Sequence, residues 1–195
     1  MKTITQPSAT TLLTAEELLR LDAQGVRGEL VRGLFCKMAP AGYRHGMVAM
    51  RLGARLVDHA EARGLGTVIG TDAGILLERN PDTVREPDIA FTSAERLPFG
   101  TEPNGYSGVV PDLVVEVASP NDRPSELAER TAMWLSFGVR LLWVVHPDAN
   151  TIEVHRAGTD RAAAQQVETL TLDDDLDGGS VLPGFTYSLS SLFAA

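Results

Sequence analysis

Apolar positions along the chain change period several times, and each change marks an element. In "TAEELLRL", Thr14 with Glu17 three residues on forms a capping box, which predicts a short helix to about Ala23. "GELVRGLFCKMA" predicts two short strands around a turn at Arg32-Gly33. In "HGMVAMRLGARLVDHAEARG", Met47, Leu52, Leu56 and Val57 fall near helical spacing, predicting a long amphipathic helix that ends near Gly64. The runs "GTVIG", "AGILLE", "PDIAF" and "PDLVVEVA" read as strands, and a Gly- and Pro-rich loop from about Pro98 to Gly108 separates the last two. "SELAERTAMWLSFG" predicts a second helix with Gly138 at its end. "RLLWVVH" reads as a buried strand that turns at Pro147-Asp148 into "TIEVHR", and "GGSVLPGFTYSLSSLF" as a turn and a short final helix. Residues 1–11 are polar and unpatterned and read as a flexible tail; residues 12–195 read as a single domain. The order of elements predicts an α/β fold with a mixed β-sheet flanked by helices.

Composition narrows the setting. A chain of 195 residues can bury one sizeable core. Cys36 is the single cysteine, so an internal disulfide is excluded and a reducing compartment is the simpler expectation. No apolar run reaches the roughly 18 residues of a membrane span. The opening "MKTITQPSATT" has no long apolar stretch, so no secretory signal is expected either. A cytoplasmic address and no membrane partner follow as expectations. The formal net charge of −9 argues against a protein built to coat nucleic acid, since basic residues supply most non-specific affinity for phosphates. A local basic groove is compatible with it.

One residue interrupts the apolar pattern. In "PDLVVEVASPND", Glu116 sits between Val115 and Val117, and a carboxylate is seldom buried without a partner. Asp88 opens the run "PDIAF"; if the two strands are neighbours, the two carboxylates can converge. Asp112 lies four residues from Glu116, about 13 Å along a strand, and is the poorer companion. Two carboxylates at the mouth of a buried sheet repel unless a cation sits between them. A hard divalent ion, Mg²⁺ or Mn²⁺, suits oxygen ligands, binds phosphodiester oxygens and acidifies water. The structural alternative makes Asp88 a turn or cap residue and gives Glu116 an arginine partner. Neither nucleotide-binding glycine signature occurs, nor a zinc pattern, nor a G-x-S-x-G elbow. "DDDLD" at 173–177 lacks EF-hand spacing and reads as a solvated acidic turn.

Six segments, in order, carry a resemblance: "TAEELLRL", "GELVRGLFCKMAPAGYRH", "REPDIAF", "PDLVVEVASPND", "GVRLLWVVHPDANTIEVHR" and "LPGFTYSLSSLF". From about residue 12 to its end the chain resembles the Uma-two family. That family is assigned to the PD-(D/E)XK nuclease superfamily with its restriction-endonuclease-like fold. The resemblance implies that Asp88 is the aspartate of the "PD" motif and Glu116 the acidic residue of "(D/E)XK", both as metal ligands. It implies that Glu29, in "GEL", completes the acidic site, and that His45 contacts phosphate or orients a ligand. The lysine of E-X-K would fall at Ala118 and is absent. The family's lysine on the following helix, four residues before an aromatic, corresponds to Arg130 before Trp134. Arginine grips phosphate bidentately but cannot serve as a base. Lys37 on the hairpin is the other lysine nearby. His146 stands where the family commonly has aspartate, and reads as structural.

Two functions of different class follow. The leading one is a metal-dependent endonuclease that hydrolyses phosphodiesters in DNA with Mg²⁺ or Mn²⁺ on Asp88 and Glu116, works as a homodimer, and uses Arg130, with Lys37 or His45, to offset transition-state charge. The alternative is a catalytically impaired dimeric nucleic-acid-binding or interaction protein of the same fold, which the missing lysine and the acidic charge favour. A smaller phosphoester substrate is a third reading. Each singled-out residue also has a plainer role available. Glu29 can pair with Arg27 or Arg32, His45 can cap a helix, and Arg130 can shield carboxylates or lie on the surface. Asp122 reads as a turn or cap residue, and Trp134 and Trp143 read as core.

Overall fold

The structure, a computed structural model, describes residues 12–70, 72–120, 122–157 and 166–194; the tail expected at 1–11 lies outside them. Helix α1 (Ala15–Asp22) starts at Thr14, where both halves of the capping box form. Strands β1 (Gly28–Val31) and β2 (Leu34–Lys37) make the hairpin, with Arg32 at φ 49° and Gly33 at φ 78°. Both positive values suit the tight turn that matches strand twist. Helix α2 (Tyr43–Ala62) follows, then β3 (Gly66–Gly70), β4 (Ile75–Glu78), β5 (Thr83–Arg85), β6 (Ile89–Ser93) and β7 (Leu113–Val117). Helix α3 (Pro124–Ser136) opens with proline in its first turn and ends before Gly138, whose φ of 98° suits glycine. Strands β8 (Leu141–His146), β9 (Thr151–Arg156), β10 (Gln166–Leu170), β11 (Asp175–Asp177) and β12 (Thr186–Ser188) lead to α4 (Leu189–Phe193).

The strands divide among three sheets where the sequence pattern predicted one. The principal sheet runs β10-β9-β8-β7-β6-β3, a smaller one runs β2-β1-β5-β4, and β11 pairs with β12. In the principal sheet β7 and β8 are parallel, joined over one face by α3, and the other pairs are antiparallel. Four strands had no clear signal in the sequence. β5 and the β11–β12 pair are three residues each. In β10, four of five residues are exposed, so no apolar alternation marks it.

The alternation of β7 explains the layering. Leu113, Val115 and Val117 point into the core beneath α2 and α4, with Trp143 and Phe185. Val114 points to the opposite face, into a second core with Leu142, Val144 and Trp134 of α3. Glu116, in step with Val114, therefore faces α3. A third core, of Leu18, Leu30 and Val84, fastens α1 to the small sheet. The short link Glu86-Pro87-Asp88 carries the chain from β5 of the small sheet to β6 of the large one, so both sheets meet at Asp88.

Candidate active site

Strands β6 and β7 are neighbours, with Ile89 opposite Val115. One further step in that register sets Asp88 opposite Glu116, and directly opposed residues of an antiparallel pair face the same side. The contact is tied down by a hydrogen bond from the Val117 N–H to Asp88 Oδ2 at 2.7 Å. The Asp88 charge is one of the influences that raise the affinity of Glu116 for a proton.

Glu116 is 2% exposed, and its partners answer why an acid sits in this strand. The Trp134 indole N–H donates to Oε1 at 2.6 Å, and Arg130 Nη1 donates to Oε2 at 3.0 Å. The two donors stand four residues apart on α3, so they share one helix face. Trp134 is core, as its sequence context suggests, but it is also a hydrogen-bond donor to the central carboxylate. The only sequence signal for that was its spacing from Arg130. Burial drives the Glu116 carboxyl up to about 7; the Arg130 guanidinium opposes the rise, while Asp88 and Glu29 reinforce it. Burial alone would weaken the hold of Arg130 on its proton, but the charges of Glu116 and Glu29 override it, so Arg130 is held more firmly charged than usual.

Glu29 arrives from the small sheet. Its Oε1 accepts from the Glu86 N–H at 2.8 Å and its Oε2 lies 3.1 Å from Arg85 Nη1. The hairpin arginines are engaged elsewhere: Arg27 with Asp22 and Asp72, Arg32 with Glu78 at 3.9 Å. The Glu29 charge is felt at both Glu116 and Arg130, which brings it into the same electrostatic cluster. His45, in the first turn of α2, is buried, and its Nε2 stands 3.3 Å from Asp88 Oδ1. That contact raises the His45 pKa against the effect of burial, with help from Asp122 and Glu116. Lys37 is exposed and pairs across the hairpin with Gly28, one register step from Glu29, so it points to the other side of the ribbon. Asp112 sits at the far end of β7 and binds the Ser93 N–H at 2.9 Å and Arg96 at 3.1 Å. Asp122 makes a turn, accepting from the Ser119 N–H at 2.8 Å, and Arg123 takes the N-cap of α3.

Two acids thus share this place and a third, Glu29, is felt there electrostatically; each stands beside a basic side chain of the chain itself: Glu29 with Arg85, Asp88 with His45, Glu116 with Arg130. The donor chemistry of Asp88 and Glu116 fits a hard divalent cation. The donors are all oxygens, they come from adjacent strands, and each oxygen named above has a lone pair left after its single contact. Among the described residues no three His, Cys, Asp or Glu side chains cluster in a way that could hold a metal. A cation at this place would accordingly be held by two carboxylates, with water or substrate completing its shell, an arrangement magnesium-type ions favour. No helix of the described residues is long and apolar enough to cross a membrane.

The crystal structure of a putative nuclease of the DUF820 family from Anabaena variabilis superposes with a TM-score of 0.76 at 18% identity, over 93% of this chain and 97% of that one. At that identity the likeness speaks for the fold alone. No curated protein matches the chain. The Uma2 family model, described as "putative restriction endonuclease", matches residues 15–190, a span that contains every acid and cation of the cluster. The chain belongs to the Uma2 family.

Proposed function

We propose that the chain is a metal-dependent endonuclease that hydrolyses phosphodiester bonds in DNA at the Asp88–Glu116 site, with Mg²⁺ or Mn²⁺ as the cation. The observation that carries this reading is the meeting of the two carboxylates on one side of adjacent strands, beneath an arginine with donors to spare. A bound divalent cation would supply polarisation of a phosphoryl oxygen and acidification of water. Asp88 and Glu116 would hold it, and the remaining steps belong to the chain. Arg130 opposes the protonation of Glu116, and its partly exposed guanidinium has donors beyond the one given to Glu116 that can meet a phosphate oxygen. Charge that builds on the phosphorane oxygens is offset there. Arg130 stays charged throughout and cannot accept the proton of water. His45, held to Asp88, is the group able to carry a proton near the site. The reaction consumes water: a new P–O bond forms, an ester P–O bond breaks, and a phosphomonoester and a hydroxyl end result. A homodimer acting on the two strands of a duplex belongs to the same proposal.

A second reading has its own support. Arginine replaces the family's lysine at position 130, and each acid already has a basic side chain of the chain beside it. Those facts favour a dimeric nucleic-acid-binding or interaction protein with an impaired site. Incubation of supercoiled plasmid with Mn²⁺ or Mg²⁺ separates the two. The nuclease reading predicts relaxed and linear forms, lost with Asp88→Ala and with EDTA. Plasmid that stays intact while Mn²⁺ is bound would leave the second reading standing.

A further inference from the structure

Beside the carboxylate cluster, between the first turns of α3 and the ends of β7, β8 and β9, lies a cavity of about 630 Å³. That is the size of a small-molecule site. Ala118, two residues beyond Glu116 and still bonded through its N–H to the Val145 carbonyl of β8, lines it. Thr131, next to Arg130, lines its roof. The cavity therefore opens one strand step from the site proposed to hold the scissile phosphate. Its walls combine small and branched apolar side chains with acceptors, and its described lining contains no lysine or arginine. Asp122, Asp148 and Glu153 make it acidic, so it repels a phosphate and suits a neutral group.

We propose that this cavity is a subsite for an unstacked nucleobase, guanine above the others, next to the phosphate bound at Asp88 and Glu116. This rests on the phosphodiesterase reading of the neighbouring site. A base stacked in a duplex cannot enter such a hollow; a single-stranded or extruded one can. Leu127 and Ala128 offer apolar contact, and Glu153 offers a carboxylate at the polar end. Glu153 Oε1 stands 3.4 Å from His146 Nε2 and Oε2 stands 3.4 Å from His155 Nε2. The His155 contact is a long hydrogen bond, and each carboxylate oxygen of Glu153 keeps a second lone pair as an acceptor. His146 Nε2 is buried without a hydrogen-bond partner among the described residues. Guanine presents two adjacent N–H groups on one edge, which match a single carboxylate; adenine, cytosine and thymine lack that pair.

Calorimetric titration of the full chain in EDTA with guanosine, adenosine and guanosine 5′-monophosphate tests this without cleavage. The expected result is binding of guanosine, preferred about tenfold over adenosine and over the monophosphate, a difference of about 1.4 kcal/mol. Ala132→Phe, at an exposed position on the cavity rim, should weaken guanosine about tenfold or more by filling space. Glu153→Gln should abolish the preference for guanosine over adenosine while the chain still folds, because Glu153 is 41% exposed. Asp88→Ala should leave guanosine binding unchanged. Absence of guanosine binding, or guanosine binding indifferent to both cavity variants, overturns the proposal. Plasmid cleavage without guanosine binding would remove the subsite alone. Guanosine binding without cleavage would keep the cavity as a base-binding site and remove the nuclease reading.

Discussion

At the scale of single residues, the site turns on the charge of Glu116. Its carboxyl is buried, pushed up to about 7, and tempered by Arg130 at 3.0 Å. Arg130→Ala should therefore destabilise the protein by about 2 kcal/mol at pH 8, where Glu116 is ionised and would lose its counter-charge, and by much less at pH 5, where it is protonated. Chemical denaturation at both values checks this; an equal loss at the two pH values contradicts it. Trp134→Phe keeps an aromatic ring but removes the N–H that donates at 2.6 Å together with part of a fully buried side chain. It should cost about 1–2 kcal/mol and raise the Glu116 pKa further, seen as a shift in the carboxyl titration by NMR. The interruption of an apolar strand by Glu116 was visible in the sequence, because a charge there demands a partner. The identity of the partners was only half visible. Arg130 and Trp134 share a helix face by their spacing, but nothing in the chain says that this face lies over β7. Arg85, the partner of Glu29, was hidden because it sits on a three-residue strand too short to show a period.

At the scale of elements, β7 is clamped at both ends by acids with different work. Asp112 is fully buried at its start, where it accepts from the Ser93 N–H and meets Arg96 and Arg140. Burial raises its carboxyl, but those hydrogen bonds and charges prevail and hold it below its ordinary range. Asp112→Ala leaves a buried N–H and two cations without their acceptor, and should cost about 3 kcal/mol in denaturant melts while leaving metal binding intact in the folded fraction. A loss below about 0.5 kcal/mol would mean that the clamp does not contribute. Long, periodic elements were legible in the sequence: α1, α2, α3 and the hairpin fall where the capping box, the helical spacing and the turn put them. The edge strand β10 was not, because its residues face solvent and pair only through the backbone. The division into separate sheets was not legible either, because strand pairing depends on where the chain crosses, and Glu86-Pro87 reads as any extended link.

At the scale of the whole molecule, several shifts add in one direction. Glu116 and Glu86 are both pushed up to about 7, chiefly by burial. An acid with a raised folded pKa binds more protons folded than unfolded between its ordinary value and the raised one, so stability falls as pH climbs through that window. His45, raised by its contact with Asp88, loses its contribution in the same direction as pH rises through its folded pKa. Asp82 and Asp112, both lowered, give stability that is present above their ordinary range and lost as pH falls below it. Stability should peak between about pH 4 and 5 and decline toward pH 8. Glu116→Gln should flatten the decline by roughly 3 kcal/mol. A thermal-melt series that rises from pH 5 to 8 would contradict this. The net charge of −9 further predicts weak DNA affinity that falls with salt only as a few local contacts require. The most direct test of the central claim is a Mn²⁺ titration followed by electron paramagnetic resonance at pH 8. A single site should take Mn²⁺ in the native chain and lose it in both Asp88→Ala and Glu116→Gln; Mn²⁺ binding that is absent from the native chain, or equal in all three proteins, would contradict the two-carboxylate site.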